Sequence, residues 1–200
     1  RAETITEYRA ESLEEMNMLR MNIGIEHGNF EYRKKYLKRN VSDELQIRAF
    51  EMVADKKYTS CANSIIGMPD ETRDLIFDTI NFVRKLPNNI DATGAFIFAP
   101  YHGTPLRTLA IEKGYIKEDE ICSLSNTSAS MLNMPTISKE EISGLAKVFS
   151  LYTKFPKERW PEIKIAEKND SEGDKMMEKL GVEFDQTYRQ FKAQALDLHD

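Results

Sequence analysis

NSIIGMPDET, residues 63–72, runs two β-branched residues into a Gly-Met-Pro turn, then two carboxylates and a threonine. Ile65 and Ile66 suit a strand covered on both faces, where β-branched side chains pack well. Gly67 permits a turn that a Cβ would hinder, and Pro69 fixes φ and stops strand pairing. Asp70, Glu71 and Thr72 then place acids at the positive end of a helix expected over residues 73–86. Such a strand-to-helix corner is the part of an α/β barrel where chemistry usually sits.

The same grammar extends on both sides. Residues 57–66 read as the strand that enters this corner, and the helix after it turns Leu75, Ile76, Ile80 and Val83 toward a core. Upstream, residues 5–18 suit an amphipathic helix, and LRMNIGIE (19–26) alternates apolar and polar residues before a small-residue turn at Gly28. Ser42 is a good N-cap for a helix carrying Leu45, Ile47, Phe50, Met52 and Val53 at helical spacing. Downstream, residues 90–99 form a third apolar strand, 100–105 a turn, and 106–113 a short helix closed by Gly114. Strand, turn and helix repeat with connections long enough for parallel crossovers, which predicts an α/β fold with parallel strands. About three strands are visible, too few to close a barrel without bare edges, so the expectation is half a barrel.

After about residue 117 the pattern changes. SLSNTSAS (123–130) is polar and loop-like, Ser138 caps a helix to about residue 154, and KFPKERWPEI is punctuated by Pro156 and Pro161. Residues 169–200 look mostly helical. Residues 1–117 are thus expected to form one unit and 118–200 a helical extension, with Phe149, Tyr152, Phe155 and Trp160 packing it down.

Bulk properties exclude several classes. Two hundred residues can bury a real core, and the net charge of −5 gives no electrostatic case for nucleic acid. The basic run YRKKYLKR (32–39) reads as a solvated helix face. No apolar run approaches the roughly 18–20 residues of a membrane span, so a soluble, cytoplasmic protein is expected. Cys61 and Cys122 lie far apart and suit reduced thiols, and His27, His102 and His199 lack metal-ligand spacing. The chain opens at Arg1 without Met, as a mature chain, a trimmed one or a piece of a longer protein would.

Three strand ends share one character: GIEHG (24–28), GMPDET (67–72) and PYHGTPL (100–106). In this order and at these separations they resemble the second half of a radical S-adenosylmethionine (radical SAM) domain, most closely its cobalamin-binding group. There a G-I-E-S-G-like turn, G-[LFM]-P-x-E-T and P-Y-P-G-T-P-L follow successive strands. The opening RAET looks like the end of the preceding strand, and LNMPTISKEEI with the F-x-L-Y-x-K-F-P after it resembles that group's helical C-terminal extension. The resemblance implies a partial (βα)6, TIM-like barrel. It also implies a [4Fe–4S] cluster that reduces S-adenosylmethionine to a 5′-deoxyadenosyl radical, which abstracts a substrate hydrogen. The cluster's C-x-x-x-C-x-x-C motif is missing here. In the family it lies upstream, with any cobalamin-binding domain further upstream, so this chain is expected to be a C-terminal fragment. Whether cobalamin is used, and on which substrate, the resemblance leaves open.

What it implies for this chain is part of a cofactor clamp. Glu26 matches a polar position near the ribose and methionine of S-adenosylmethionine, and a carboxylate can accept both ribose hydroxyls. Arg39 matches an arginine that grips the methionine carboxylate through a fixed fork. Asn63 sits where relatives place a ribose-binding residue, Gly67 would let backbone approach the cofactor, and the strand before it would pack near the adenine. Pro100 and Tyr101 open a turn that would bring backbone groups to the adenine edge, with Tyr101 and His102 able to face substrate instead. Asp70 and Glu71 also read as ordinary helix N-terminal acids. No catalytic residue is assigned. Two alternatives stand beside this reading. One is an aldolase-like barrel using acid/base chemistry through Glu26 and His102, although no Lys stands at any of the three strand ends. The other is a non-catalytic binding module.

Overall fold

The computed structural model describes residues 1–91, 94–122 and 129–188. Helix α1 (Glu7–Glu15), capped by Thr6, leads into strand β1 (Arg20–Glu26). Helix α2 (Phe30–Tyr36) starts at an Asn29 cap, and α3 (Asp43–Ala54) at the expected Ser42 cap. Strand β2 (Thr59–Ile66) then runs into the quoted corner, and Thr72 caps α4 (Arg73–Val83). Strand β3 (Ala95–Ile97) precedes α5 (Pro105–Glu112), which stops short of Gly114 at φ +70°.

The three strands form one parallel sheet in the order β1-β2-β3. The chain is therefore a mixed α/β protein with a small parallel sheet and many helices, as the repeat of strand and helix predicts. The third strand is shorter than expected. Three residues pair with Ser64, Ile65 and Ile66, and a single bridge joins Asp91 to Cys61. The expected strand also ran through Ala92 and Thr93, which lie outside the described residues, as do residues 123–128 of the polar segment and 189–200 of the tail. The opening RAET, read as a strand end, is a 3-10 turn at Ala2–Thr4. Both the N–H and the hydroxyl of Thr4 donate to the Arg1 carbonyl, and Ala2 is buried.

The two faces of the sheet differ. Ile23, Ile25, Ala62, Ser64, Ile66 and Ile97 are buried on the face covered by helices. The alternate residues Asn22, Gly24, Glu26, Asn63, Ile65 and Phe96 are half-buried or exposed. Period-two alternation puts them on the other, open face.

The remaining helices close the covered side. Helix α6 (Lys139–Lys154) starts with a capping box in which Ser138 and Glu141 exchange hydrogen bonds, and it packs against β3 and α4. Helices α7 (Trp160–Ala166) and α8 (Ser171–Tyr188) follow. Tyr152 meets Phe77 and Trp160 edge-on, as expected of the aromatic stripe. Arg73 of α4 grips Glu167 through two short contacts, 2.5 and 2.7 Å. Arg84 caps the C-terminus of α6 by donating to the carbonyls of Tyr152, Thr153 and Phe155. Among the described residues no helix is long and apolar enough to cross a membrane.

Gly28 shows how tightly the first corner meets α4. Its N–H donates to Thr79 Oγ1, and an added Cβ would fall 2.4 Å from Thr79 Cα and 2.6 Å from the Asp78 carbonyl. Both contacts are backbone, so neither can swing aside. Gly28→Ala should cost about 1–3 kcal/mol in urea unfolding. Gly181→Ala on α8, where a Cβ meets nothing within 4 Å, should instead leave stability unchanged or raise it by up to about 1 kcal/mol.

Candidate functional site

The first two corners are sewn together by one buried carboxylate. Glu71 accepts the N–H groups of Gly67 and Met68 through one oxygen, and its other oxygen lies 3.0 Å from His27 Nε2. Neither side chain is exposed. His27 Nδ1 accepts the Asn29 N–H, while its Nε2 completes no hydrogen bond with Glu71. Tyr32 stacks on His27, donates to the Pro69 carbonyl at 2.6 Å, and is stacked in turn by Tyr36. Burial pushes the Tyr32 phenol well above its ordinary pKa, and the Glu71 charge adds to the shift.

Asp70 faces the other way, at φ +63°. It accepts from Tyr36 Oη at 2.7 Å, Tyr115 Oη at 2.6 Å and Lys113 Nζ at 2.9 Å. Burial raises its pKa, but the hydrogen bonds from Lys113, Tyr115 and Tyr36 outweigh that and hold it below the usual range. Asp70 and Glu71 are therefore ties between elements as well as acids near a helix start. Thr72 does the capping.

The basic run is not a uniform solvated face. Arg33 is fully buried and donates to the carbonyls of His27, Gly28 and Val41 and to Asp43 Oδ1 at 2.6 Å. A cation can be buried because those acceptors replace its water. Lys38 then adopts φ +52°, which turns the chain back toward β1.

That reversal delivers Arg39 to the open face. Its Nη1 donates to the Gly24 carbonyl at 3.3 Å and to Glu26 Oε1 at 3.2 Å, and its Nη2 to Glu3 Oε2 at 3.3 Å. The side chain is 10% exposed, and its Nε is buried without a partner. Glu26 sits at φ +63° beside a register shift in β1, with its carboxylate folded over Gly24, where a Cβ would lie 2.5 Å from Oε1. A non-glycine residue held left-handed at a strand end is strained backbone of the kind concentrated at functional sites. Burial raises the Glu3 pKa, but a hydrogen bond from its own backbone and the Arg39 charge overcome that and lower it.

The same face of the sheet holds an apolar groove of about 420 Å³. Tyr36 and Lys38 form one wall, Ile65 and Phe96 the sheet side, and Ala99, Tyr101 and Pro105 the mouth of α5. Glu26 is in register with Ser64, next to Ile65, and Arg39 follows Lys38. Pair and groove thus share the open face toward the C-terminal end of the strands.

The expected site residues fare differently. Glu26 and Arg39 are brought together, Tyr101 lines the groove, and Asn63 shares the open face with Ile65. Gly67 does take the left-handed φ of +78°, but its N–H is held by Glu71 and Ile142 of α6 covers it. That N–H is not among the donors open to a ligand. The Pro100 carbonyl is likewise held by Arg107 at 2.9 Å. His102 is exposed on its turn. Sequence reasoning missed His27, Arg33 and the Tyr36–Asp70–Tyr115 knot. The departure of GIEHG from a G-I-E-S-G-like turn was the available signal for His27.

The chemistry on this face comprises an apolar slot, a carboxylate and a guanidinium whose buried Nε has no partner. For a metal the donors differ. Cys61 is buried beside Asp91, Cys122 is half-buried, and no group of three His, Cys, Asp or Glu among the described residues could hold an ion. Compared with known families and curated proteins, the chain matches no family model and no curated sequence.

The Asp70 knot yields a pH prediction. A carboxylate whose native pKa is depressed adds stability above its unfolded pKa, about 3.9 for Asp. That contribution is lost as pH falls through the lower native value. Urea unfolding followed from about pH 7 down to pH 3 should show the wild type losing stability on the acid limb. Asp70→Asn should be less stable at neutral pH and lose less on acidification. Parallel acid limbs in the two proteins would contradict the knot.

Proposed function

We propose that this chain is the S-adenosylmethionine-binding, C-terminal half of the core of a radical SAM enzyme, followed by a helical extension. On this reading the three-stranded parallel sheet is half of a partial (βα)6 barrel and its open face is the barrel interior. The [4Fe–4S] ligands belong to a segment outside this chain, as would any cobalamin-binding domain. The protein would be cytoplasmic and act on a small molecule whose identity the resemblance does not choose.

One observation carries the reading: the Glu26–Arg39 pair, with a buried donor unsatisfied on Arg39, stands on the same open face of the sheet as an apolar groove lined by Ile65 and Phe96. The three motifs that suggested the family all converge on that end of the sheet. Glu26 would accept the ribose hydroxyls, Arg39 would hold the methionine carboxylate, and the groove between Tyr36 and Phe96 would take the adenine and keep water from it. Asn63, on the same face, would meet the sugar. When bound to a reduced cluster, S-adenosylmethionine supplies radical chemistry able to remove a hydrogen from an unactivated carbon. The chain's own residues bind and orient. They are assigned no proton or electron transfer.

The test is calorimetric titration of S-adenosylmethionine into the protein joined to its cluster-bearing segment. Glu26→Ala and Arg39→Lys should each weaken binding by about ten- to a hundredfold while the cluster absorbance is retained. Lys34→Ala, which removes an exposed charge from the same run and lines neither fork nor groove, should bind as wild type does. Equal affinities for all four proteins would reduce Glu26 and Arg39 to a structural pair.

A further inference from the structure

Two arginine pairs of this protein set a standard against which Arg39 can be compared. Arg73 holds Glu167 with two prongs at 2.5 and 2.7 Å, and Arg159 holds Glu183 with two at 2.7 and 3.0 Å. These are the short, forked contacts of permanent clamps. Arg39 and Glu3 differ. One prong, Nη2, reaches one oxygen at 3.3 Å, and the neighbouring Nε has no partner although it is buried. Glu3 does not span both donors, because its second oxygen is turned to Arg1 Nη1, 3.6 Å away. A buried donor left unsatisfied is costly, so the Nε–Nη2 edge favours any carboxylate able to span it.

We propose that Glu3 is a displaceable internal carboxylate, which occupies the Nη2 prong of Arg39 until a ligand carboxylate takes the whole Nε–Nη2 edge. The proposal rests on the reading of Arg39 as a carboxylate fork and adds a competitor within the chain. The other prong is committed inward, since Nη1 is shared between the Gly24 carbonyl and Glu26. The exchange can therefore occur only at the edge that Glu3 half-fills. Its turn, anchored by buried Ala2, keeps the carboxylate close by, and its side chain is 28% exposed, so release into water needs no unfolding. The ligand class is an anionic amino-acid tail carried on a base or ring that fits the groove. Recognition gains selectivity by the same device: a ligand without a carboxylate gains nothing from the fork and leaves Glu3 in place.

The experiment uses the 200-residue chain itself and two probes, S-adenosylmethionine and 5′-methylthioadenosine, which lacks the amino-acid carboxylate. Ligand-observed NMR titration reads affinities into the millimolar range. Glu3→Gln should tighten S-adenosylmethionine by about three- to tenfold, the effect expected on removing one weak charge-assisted competitor. It should leave 5′-methylthioadenosine unchanged. Glu3→Asp, too short to reach Nη2, should tighten S-adenosylmethionine likewise while keeping the net charge. Glu7→Gln, which makes the same charge change on the exposed face of α1, should alter neither probe. If S-adenosylmethionine binds and Glu3→Gln weakens it or leaves it unchanged, Glu3 is a fixed support and the displacement is overturned alone. If Glu3→Gln and Glu7→Gln tighten both probes equally, the effect is general charge and the proposal is again overturned. If neither probe binds any of the four proteins, the cofactor-site reading fails and the displacement fails with it.

Discussion

Everything in the site hangs on the carboxylate of Glu71. It is fully buried, and a buried charge is tolerated only when donors replace its water. Here the donors are the Gly67 and Met68 N–H groups from its own corner, and His27 Nε2 of the corner after β1 lies 3.0 Å from the other oxygen. Two strand ends far apart in sequence are thereby fixed at one height. Removing one partner of such a pair typically costs about 3–5 kcal/mol, because the other stays buried and uncompensated. Thr72 then caps α4 immediately beyond, so the helix that covers the sheet starts from the same point.

From this seam the geometry passes outward by contact. Tyr32 and Tyr36 stack in series on His27, which sets the direction of α2, and buried Arg33 holds the chain that follows through the Val41 carbonyl and Asp43. The left-handed turn at Lys38 returns Arg39 to β1, where Glu26 waits in a left-handed conformation of its own. Within the seam His27 Nε2 and Glu71 Oε1 face each other without completing a hydrogen bond. At the rim, long contacts around Arg39, an unpartnered Nε and strained backbone at Glu26 stand together.

Much of the architecture could be read from residues alone, because it rests on local chemistry. Ser42 and Ser138 announce helix starts, Gly67 and Gly114 take the left-handed turns their positions require, and period-two alternation in 19–26 marks a strand. The clamp was legible through motif resemblance, which brought Glu26 and Arg39 to attention before any contact was known. Other features were hidden for physical reasons. Arg33 and Arg39 stand in a run of five cations and two tyrosines that looks solvated. Only tertiary acceptors, the Val41 carbonyl and Glu26 among them, decide which of these side chains go inside. Asp70 and Glu71 satisfy a simple helix-start rule, which conceals that each is spent on a partner at least 34 residues away, Tyr36 for Asp70 and His27 for Glu71. Leu45, at helical spacing with the core residues of α3, is 44% exposed, since Gln46 rather than Leu45 turns inward.

The central claim is that the open face of the sheet, with its clamp and groove, receives S-adenosylmethionine. Hydrogen exchange followed by mass spectrometry, with and without this ligand at saturating concentration, tests it most directly. The account predicts slowed exchange confined to residues 24–26, 36–39 and 96–99, with residues 160–188 unchanged. Protection centred on α7 and α8, or no protection anywhere, would contradict it.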